Sequence, residues 1–351
     1  MTDTMKAAIF DGPGKLSLKD VPIPRPGPGE MLLKIGSNTV CGTDVRILRG
    51  EKTAGIDKGV ILGHEISGYV EDIGPGVTNF SKGDLVGIVP SVACGYCEYC
   101  QRGVENLCLN ARIFGYAIDG GLAEYILIPS FVVERGGAIK ADPTLSAVEV
   151  SLAEPLGCVL NGARNYHLNP GETALILGAG PIGLLHLQVA KLSGASQIIM
   201  SDPSPIRRQK AEQLGATHVV DPAATDVTEY VRHETQGLGA DVAIVCIGKG
   251  PLLSQAMSCV RKRGRVSAFA GFEKGSTTAI DPNLIHYGEL EIVGASNASR
   301  YDHGRALRLI SEGKVNVKEL HTHTFPLTEV IEAIEFSASG EGIKVAVVPK
   351  L

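Results

Sequence analysis

Apolar positions along this chain follow two rhythms. In residues 172–202, ETALILGAGPIGLLHLQVAKLSGASQIIMSD, a short continuous apolar run gives way to glycines at 178, 180 and 183. Ile182, Leu185, Val189 and Leu192 then recur at helical spacing, and a second apolar run ends in Asp202. That succession predicts strand, tight turn, helix and strand. ADVAIVCIG, GRVSAFAG and LEIVGAS are further strand-like runs separated by helical stretches, so residues 156–296 read as an α/β domain on a doubly wound parallel sheet. Residues 1–155 and 297–351 are read as a second, mostly β domain into which the first is inserted, with VPIPRPGPGE as a loop between early strands and GIKVAVVPKL as a closing strand. The longest apolar runs are broken by glycine and proline and fall short of a membrane span.

The glycine turn carries chemistry. With a strand before it, a helix after it and an acid 24 residues beyond Gly178, GAGPIG is the dinucleotide-binding fingerprint in the setting it requires. Gly178, Gly180 and Gly183 let the backbone turn and approach a pyrophosphate at the helix amino end. Asp202 stands where a carboxylate accepts hydrogen bonds from the adenosine ribose and repels a 2′-phosphate, which favours NAD over NADP. Arg207 and Arg208 pull the other way, because an arginine near the ribose accepts a phosphate, although a solvated helix face also accounts for them. The basic run RKRGR at 261–265 precedes its strand and reads as a solvated turn.

Composition changes the picture at the thiols. CGYCEYCQRGVENLC, residues 94–108, holds four of the eight cysteines in a chain of 351 residues. The start of the chain shows no basic segment followed by an apolar core, so a cytoplasmic, reducing setting is expected, in which clustered cysteines bind metal more often than they form disulfides. Cys94, Cys97, Cys100 and Cys108 read C-x2-C-x2-C-x7-C, a spacing that lets four thiolates close on a structural zinc ion. An iron–sulfur cluster is the competitor, but the ferredoxin run has a three-residue last gap followed by proline, unlike this one. Free or redox-active cysteines are the remaining reading. A net charge of −5 argues against a nucleic-acid surface.

A closed sulfur site cannot activate a substrate. A second set of donors lies in TVCGTD, LGHEISG and LAEPLGC, which carry Cys41, His64 with Glu65, and Glu154. A thiolate, an imidazole and a carboxylate hold zinc with one position open. Taken singly, each also has an ordinary role, as a small buried hydrophobe, a core histidine or a helix-start carboxylate.

In this order and along essentially the whole length, GHE, the four-cysteine lobe and GAGPIG resemble the zinc-dependent medium-chain dehydrogenase/reductase superfamily. Glu65 and the AEP at 153–155 resemble its polyol branch, the sorbitol and xylitol dehydrogenases, with threonine dehydrogenases as near neighbours. The resemblance implies a Rossmann domain beside a GroES-like catalytic domain, with NAD, one catalytic zinc and one structural zinc per chain. It assigns Cys41 and His64 to the catalytic ion, Glu65 as third ligand, and Glu154 as a direct or water-mediated ligand. Thr43 would bond the substrate hydroxyl and pass its proton toward the nicotinamide ribose; its plain alternative is to cap the turn after Cys41. Ile182, Ile247, Phe269 and Ser296 fall where family members touch the cofactor. The reaction implied is metal-assisted hydride transfer from an alcohol. Many relatives carry histidine where this chain has Arg46, which stays protonated and cannot relay a proton.

The substrate implied is a small molecule, a sugar alcohol, cyclitol or related sugar derivative, oxidised at a secondary hydroxyl; L-threonine is the alternative. Arg300 and Tyr301 lie close to where polyol dehydrogenases place an Arg-Tyr pair, and IFGYAIDGGLAEY also resembles the threonine branch. Neither a nucleic acid nor a membrane is an expected partner, and a homotetramer is expected ahead of a dimer. Rivals of another class are a crystallin-type structural protein and a zinc-binding interaction module. Metal analysis separates them: the enzyme holds about two zinc ions per chain, and Cys97→Ser retains about one, with a lowered melting temperature. Unchanged metal content in Cys97→Ser would remove the lobe from the zinc account.

Overall fold

The protein is described here by a computed structural model over residues 3–350. Its chain divides into two compact units, Met1–Gly157 with Asn297–Leu351, and Cys158–Ser296. The first division lies two residues beyond the boundary expected after 155, inside the continuous helix Ala153–Tyr166. No turn chemistry marks it, because helical hydrogen bonding runs straight through.

In Cys158–Ser296 six strands form one sheet in the order His218–Val220, Gln197–Ser201, Thr173–Leu177, Ala240–Val245, Val260–Ala268 and Glu291–Gly294. Every pairing is parallel. This is the doubly wound Rossmann order, whose ligands bind beyond the strand carboxyl ends. Thr173–Leu177 is buried at each of its five positions, which explains why it reads as a continuous apolar run rather than an alternating one. The run RKRGR is not a bare solvated turn. It lies within Val260–Ala268, where Arg261 meets Asp241 at 2.5 Å and Arg265 meets Glu172 at 2.6 Å. Only Lys262 and Arg263 of its basic residues face solvent, Arg263 at a positive φ of 58°. Distant carboxylates at 172 and 241 decide this, and local sequence does not carry them.

In the other unit, the strand Met31–Thr39 pairs antiparallel with Glu65–Ile73, Tyr125–Ile128 and Lys344–Val348. The sheet extends outward through Leu85–Ile88 and Ala138–Lys140 on one side and His321–Pro326 on the other. GIKVAVVPKL thus does supply a closing strand, laid beside the middle of the sheet. Among the described residues no helix is long and apolar enough to cross a membrane.

Two glycines of the turn after Thr173–Leu177 are required by geometry. Gly178 has φ +106°, a left-handed conformation costly to other residues, and a Cβ on Gly183 would stand 1.8 Å from the Gly178 carbonyl oxygen. The first turn of the helix Pro181–Leu192 therefore lies directly on the loop. Gly183→Ala is expected to cost about 1–3 kcal/mol through overpacking. A thermal melt would show this as a fall of about 2–4 °C per kcal/mol; an unchanged melt would contradict the close approach.

Candidate functional site

The sulfur lobe is built within residues 94–108. Each of Cys94, Cys97, Cys100 and Cys108 offers a sulfur within 4.8 Å of the others, and those of Cys97 and Cys100 are 3.5 Å apart. Backbone amides aim inward: Cys94 N–H donates to the Cys108 sulfur at 3.2 Å and Asn110 N–H to the same atom at 3.4 Å. Burial opposes ionisation of Cys94, but donors from Tyr96, Asn110 and Cys97 outweigh it and lower the thiol to about 6. Burial pushes Cys100 the other way, up to about 12, helped by the thiols around it. The lobe thus favours some thiolates and forbids four together until a cation neutralises them, which is the chemistry of a closed zinc site.

The second donor set gathers around the amino end of the helix Gly42–Leu48. Cys41 precedes that helix, His64 and Glu65 enter the strand Glu65–Ile73, and one ligand atom from each lies within 4.8 Å of the others. His64 and Glu65 are buried and Cys41 is half-buried. Glu154, at the first turn of Ala153–Tyr166, is outside this tight trio, yet its charge acts on both Tyr116 and Lys344. A thiol, an imidazole and a carboxylate with a second carboxylate at the margin fit a zinc ion with an open position.

Three residues that the sequence analysis did not single out hold this set in place. Asp44 accepts the Cys41 backbone N–H at 2.9 Å and faces Nδ1 of His64 at 3.3 Å. It therefore fixes one donor through its backbone and pairs in charge with the other. Burial disfavours a charged His64, but Asp44 and Cys41 prevail and hold its pKa well above the usual value. A metal ion taken up by His64 would have to displace that proton. Lys344 meets Glu65 at 2.7 Å and 2.6 Å on its two oxygens, and the Thr39 hydroxyl donates to the second oxygen. Burial would discharge Lys344, whereas Glu65, Cys41 and Glu154 raise its pKa. The third, Tyr116, meets the His64 ring edge-on at 5.7 Å, and burial pushes its phenol up. Asp44 was recoverable from its place three residues after Cys41; Lys344 and Tyr116 left no local signal.

Of the residues with expected roles, Thr43 lies half-buried in the first turn of Gly42–Leu48, and the cap of that helix is supplied by Asp44 instead. Arg46 lies in the last turn, with Glu51 at 3.9 Å. Arg300 is not set out for a sugar: its guanidinium forks onto Glu105 of the lobe at 2.8–3.1 Å and bonds the Arg135 carbonyl. Tyr301 is 66% exposed. The lobe is thereby tied to the helix Arg300–Ser311.

In the Rossmann unit, Gly178, Asp202, Ile247, Phe269 and Ser296 all follow the carboxyl ends of parallel strands, the edge where such sheets bind ligands. Ile247 packs against the space a Gly178 side chain would take. Ile182 is half-buried beside the glycine turn, Ser296 is exposed, and Phe269 stacks edge-on against His186 at 4.5 Å. Asp202 is buried, with one carboxylate oxygen accepting Ala179 N–H and the other Ser204 N–H, both at 2.8 Å. Arg208 is taken up by Asp221 at 3.0 Å and by the Asp202 carbonyl, whereas Arg207 reaches beside Gly180.

Residues 27–135 match the alcohol dehydrogenase GroES-like domain and residues 181–312 the zinc-binding dehydrogenase model. The chain is 36% identical to an L-threonine 3-dehydrogenase of Pyrococcus horikoshii, over 98% of this chain and 99% of that one. It is 32% identical to a sorbitol dehydrogenase of Halalkalibacterium halodurans, over 98% and 99%. A zinc-binding dehydrogenase of Sinorhizobium meliloti, solved bound to NADP, superposes with a TM-score of 0.93 at 34% identity, covering 99% of this chain and 100% of that one.

Lys344→Met leaves Glu65 charged and buried without its partner, and is expected to cost about 3–5 kcal/mol. The double variant Lys344→Met, Glu65→Gln should recover most of that loss in denaturant unfolding of the metal-free protein. Equal losses in the single and double variants would mean that the pair is energetically idle.

Proposed function

Since the chain belongs to the zinc-dependent medium-chain dehydrogenases, enzymes that act on alcohols, we propose that it oxidises a secondary hydroxyl of a sugar alcohol, cyclitol or related sugar derivative to the ketone, with NAD as hydride acceptor. The observation that carries this reading is the convergence of Cys41, His64 and Glu65 with Glu154 at the margin. Zinc, when bound there, supplies Lewis acidity, and the nicotinamide supplies the hydride acceptor.

The chain's own residues do the rest. Asp44 orients His64, and Lys344 compensates the charge of Glu65 so that a thiolate and two carboxylates coexist in a buried space. Thr43 accepts a hydrogen bond from the substrate hydroxyl and relays its proton, releasing its own toward the nicotinamide ribose and from there to solvent, and Glu154 accepts a hydrogen bond from a neighbouring hydroxyl, a preference suited to a polyhydroxylated substrate. Cys94, Cys97, Cys100 and Cys108 bind a structural ion. Gly178, Gly180 and Gly183 receive the pyrophosphate, and Asp202 receives the adenosine ribose, while Arg207 beside the loop is the counterweight toward NADP. L-threonine is the second reading, favoured by the identity to threonine dehydrogenases along nearly the full chain.

NADH formation across hexitols, pentitols, inositols, sugar phosphates, threonine and simple alcohols tests the proposal. Selective turnover of a polyol or sugar derivative is expected; selective turnover of threonine would favour the second reading, and efficient oxidation of ethanol with no polyol or threonine activity would defeat both. In the same assay Asp202→Ala should raise KM for NAD by about tenfold, the loss of one charged hydrogen bond, and narrow the gap to NADP. A native enzyme that already prefers NADP would assign the choice to Arg207.

A further inference from the structure

Beside the Cys41–His64–Glu65 cluster the structure gathers two cations that metal binding and hydride transfer do not use. The Arg46 carbonyl accepts N–H groups of Glu51 and Lys52 at 2.9 and 3.2 Å, which folds the chain back and sets Lys52 next to Arg46. The Lys52 ammonium stands over the Tyr116 ring, 5.1 Å from its centroid. The same ring meets His64 edge-on at 5.7 Å, so one aromatic ring lies between Lys52 and a member of the Cys41–His64–Glu65 set. Tyr116 is pinned by its backbone, its carbonyl accepting the Asp57 N–H at 2.9 Å. Partial burial and the charge of Arg46 both lower the pKa of Lys52, so the two cations are held together by the backbone against their repulsion. Glu51, 3.9 Å from Arg46 and itself partly exposed, faces them.

We propose that Arg46 and Lys52 form an anion subsite that takes the carboxylate of a hydroxy-acid substrate, with Tyr116 as the spacer between that carboxylate and the carbon oxidised at the metal. This deepens the alcohol-oxidising reading and rests on it. A carboxylate relieves the repulsion between the cations and offers the planar acceptor that a guanidinium fork matches. The shared chemistry is an acid bearing a hydroxyl a few carbons away, whether a sugar acid or a hydroxy amino acid.

The test uses the zinc-loaded full chain with NADH bound, which cannot accept a second hydride, so that binding is read apart from turnover. Two matched pairs are titrated by calorimetry: D-gluconate against D-sorbitol, and L-threonine against L-threoninol. At least one acid should bind about tenfold or more tighter than its carboxylate-free partner, the size of a charged hydrogen bond. Lys52→Gln should abolish that ratio and Lys52→Arg preserve it, with NADH affinity unmoved. The pair that shows the ratio identifies a sugar acid or an amino acid as the source of the carboxylate. Carboxylate-free partners that bind as well as both acids would overturn the subsite, and so would a Lys52→Gln variant that loses NADH affinity by the same factor, which would assign the cations to cofactor phosphate. An acid preference without turnover of any alcohol would keep the subsite and reject the dehydrogenase reading; turnover of neutral polyols without acid preference would do the reverse.

Discussion

Lys344 and Glu65, 279 positions apart and both buried, form the contact on which the metal-binding unit turns. Burying either charge alone is costly, and their mutual attraction is the compensation. The strands that bear them do not pair with each other; each flanks Met31–Thr39, whose last residue adds a hydroxyl to the same carboxylate. Three neighbouring strands are thus locked at one end by one polar knot. Cys41 lies two residues beyond that knot and His64 one residue before it, so the donors inherit their positions from the register of the sheet. Asp44 completes the frame by bonding the backbone of one donor and facing the ring of the other.

The remaining chemistry is local in origin. The lobe draws all its sulfurs from residues 94–108, and the glycine turn is enforced by the contact between Gly183 and the Gly178 carbonyl. Such features depend on spacing along the chain and need little from elsewhere. That difference decides what could be read from the sequence. The parallel sheet, the four-cysteine set and the glycine turn were legible, because periodicity and short spacings encode them directly. The triad of Cys41, His64 and Glu65 became legible only through a family resemblance, since its members are ordinary residues when taken singly.

What the sequence hid is what long-range pairing decides. Lys344 sits in an apolar closing strand with nothing nearby to show that its charge faces inward. RKRGR reads as solvated until Glu172 and Asp241 take up two of its arginines. Arg300 lies close in sequence to where polyol dehydrogenases place an Arg-Tyr pair, yet Glu105 is closer to hand and takes the Nε–Nη2 edge of its guanidinium. In each case a charge is assigned by the nearest opposite charge in space, and sequence spacing does not carry that distance.

The close set of sulfurs has a consequence for how the protein would age. Cys97 and Cys100 sulfurs stand 3.5 Å apart, and two thiols that near need only a modest side-chain rotation and a two-electron oxidant to reach the ~2.05 Å of a disulfide. An ion held there would engage the sulfur lone pairs that otherwise attack such an oxidant. Loss of that ion and oxidation of the lobe would then be successive stages of one decay, the second locking in the first: with the disulfide formed, resupplied zinc would not rebuild the lobe until a reductant had acted.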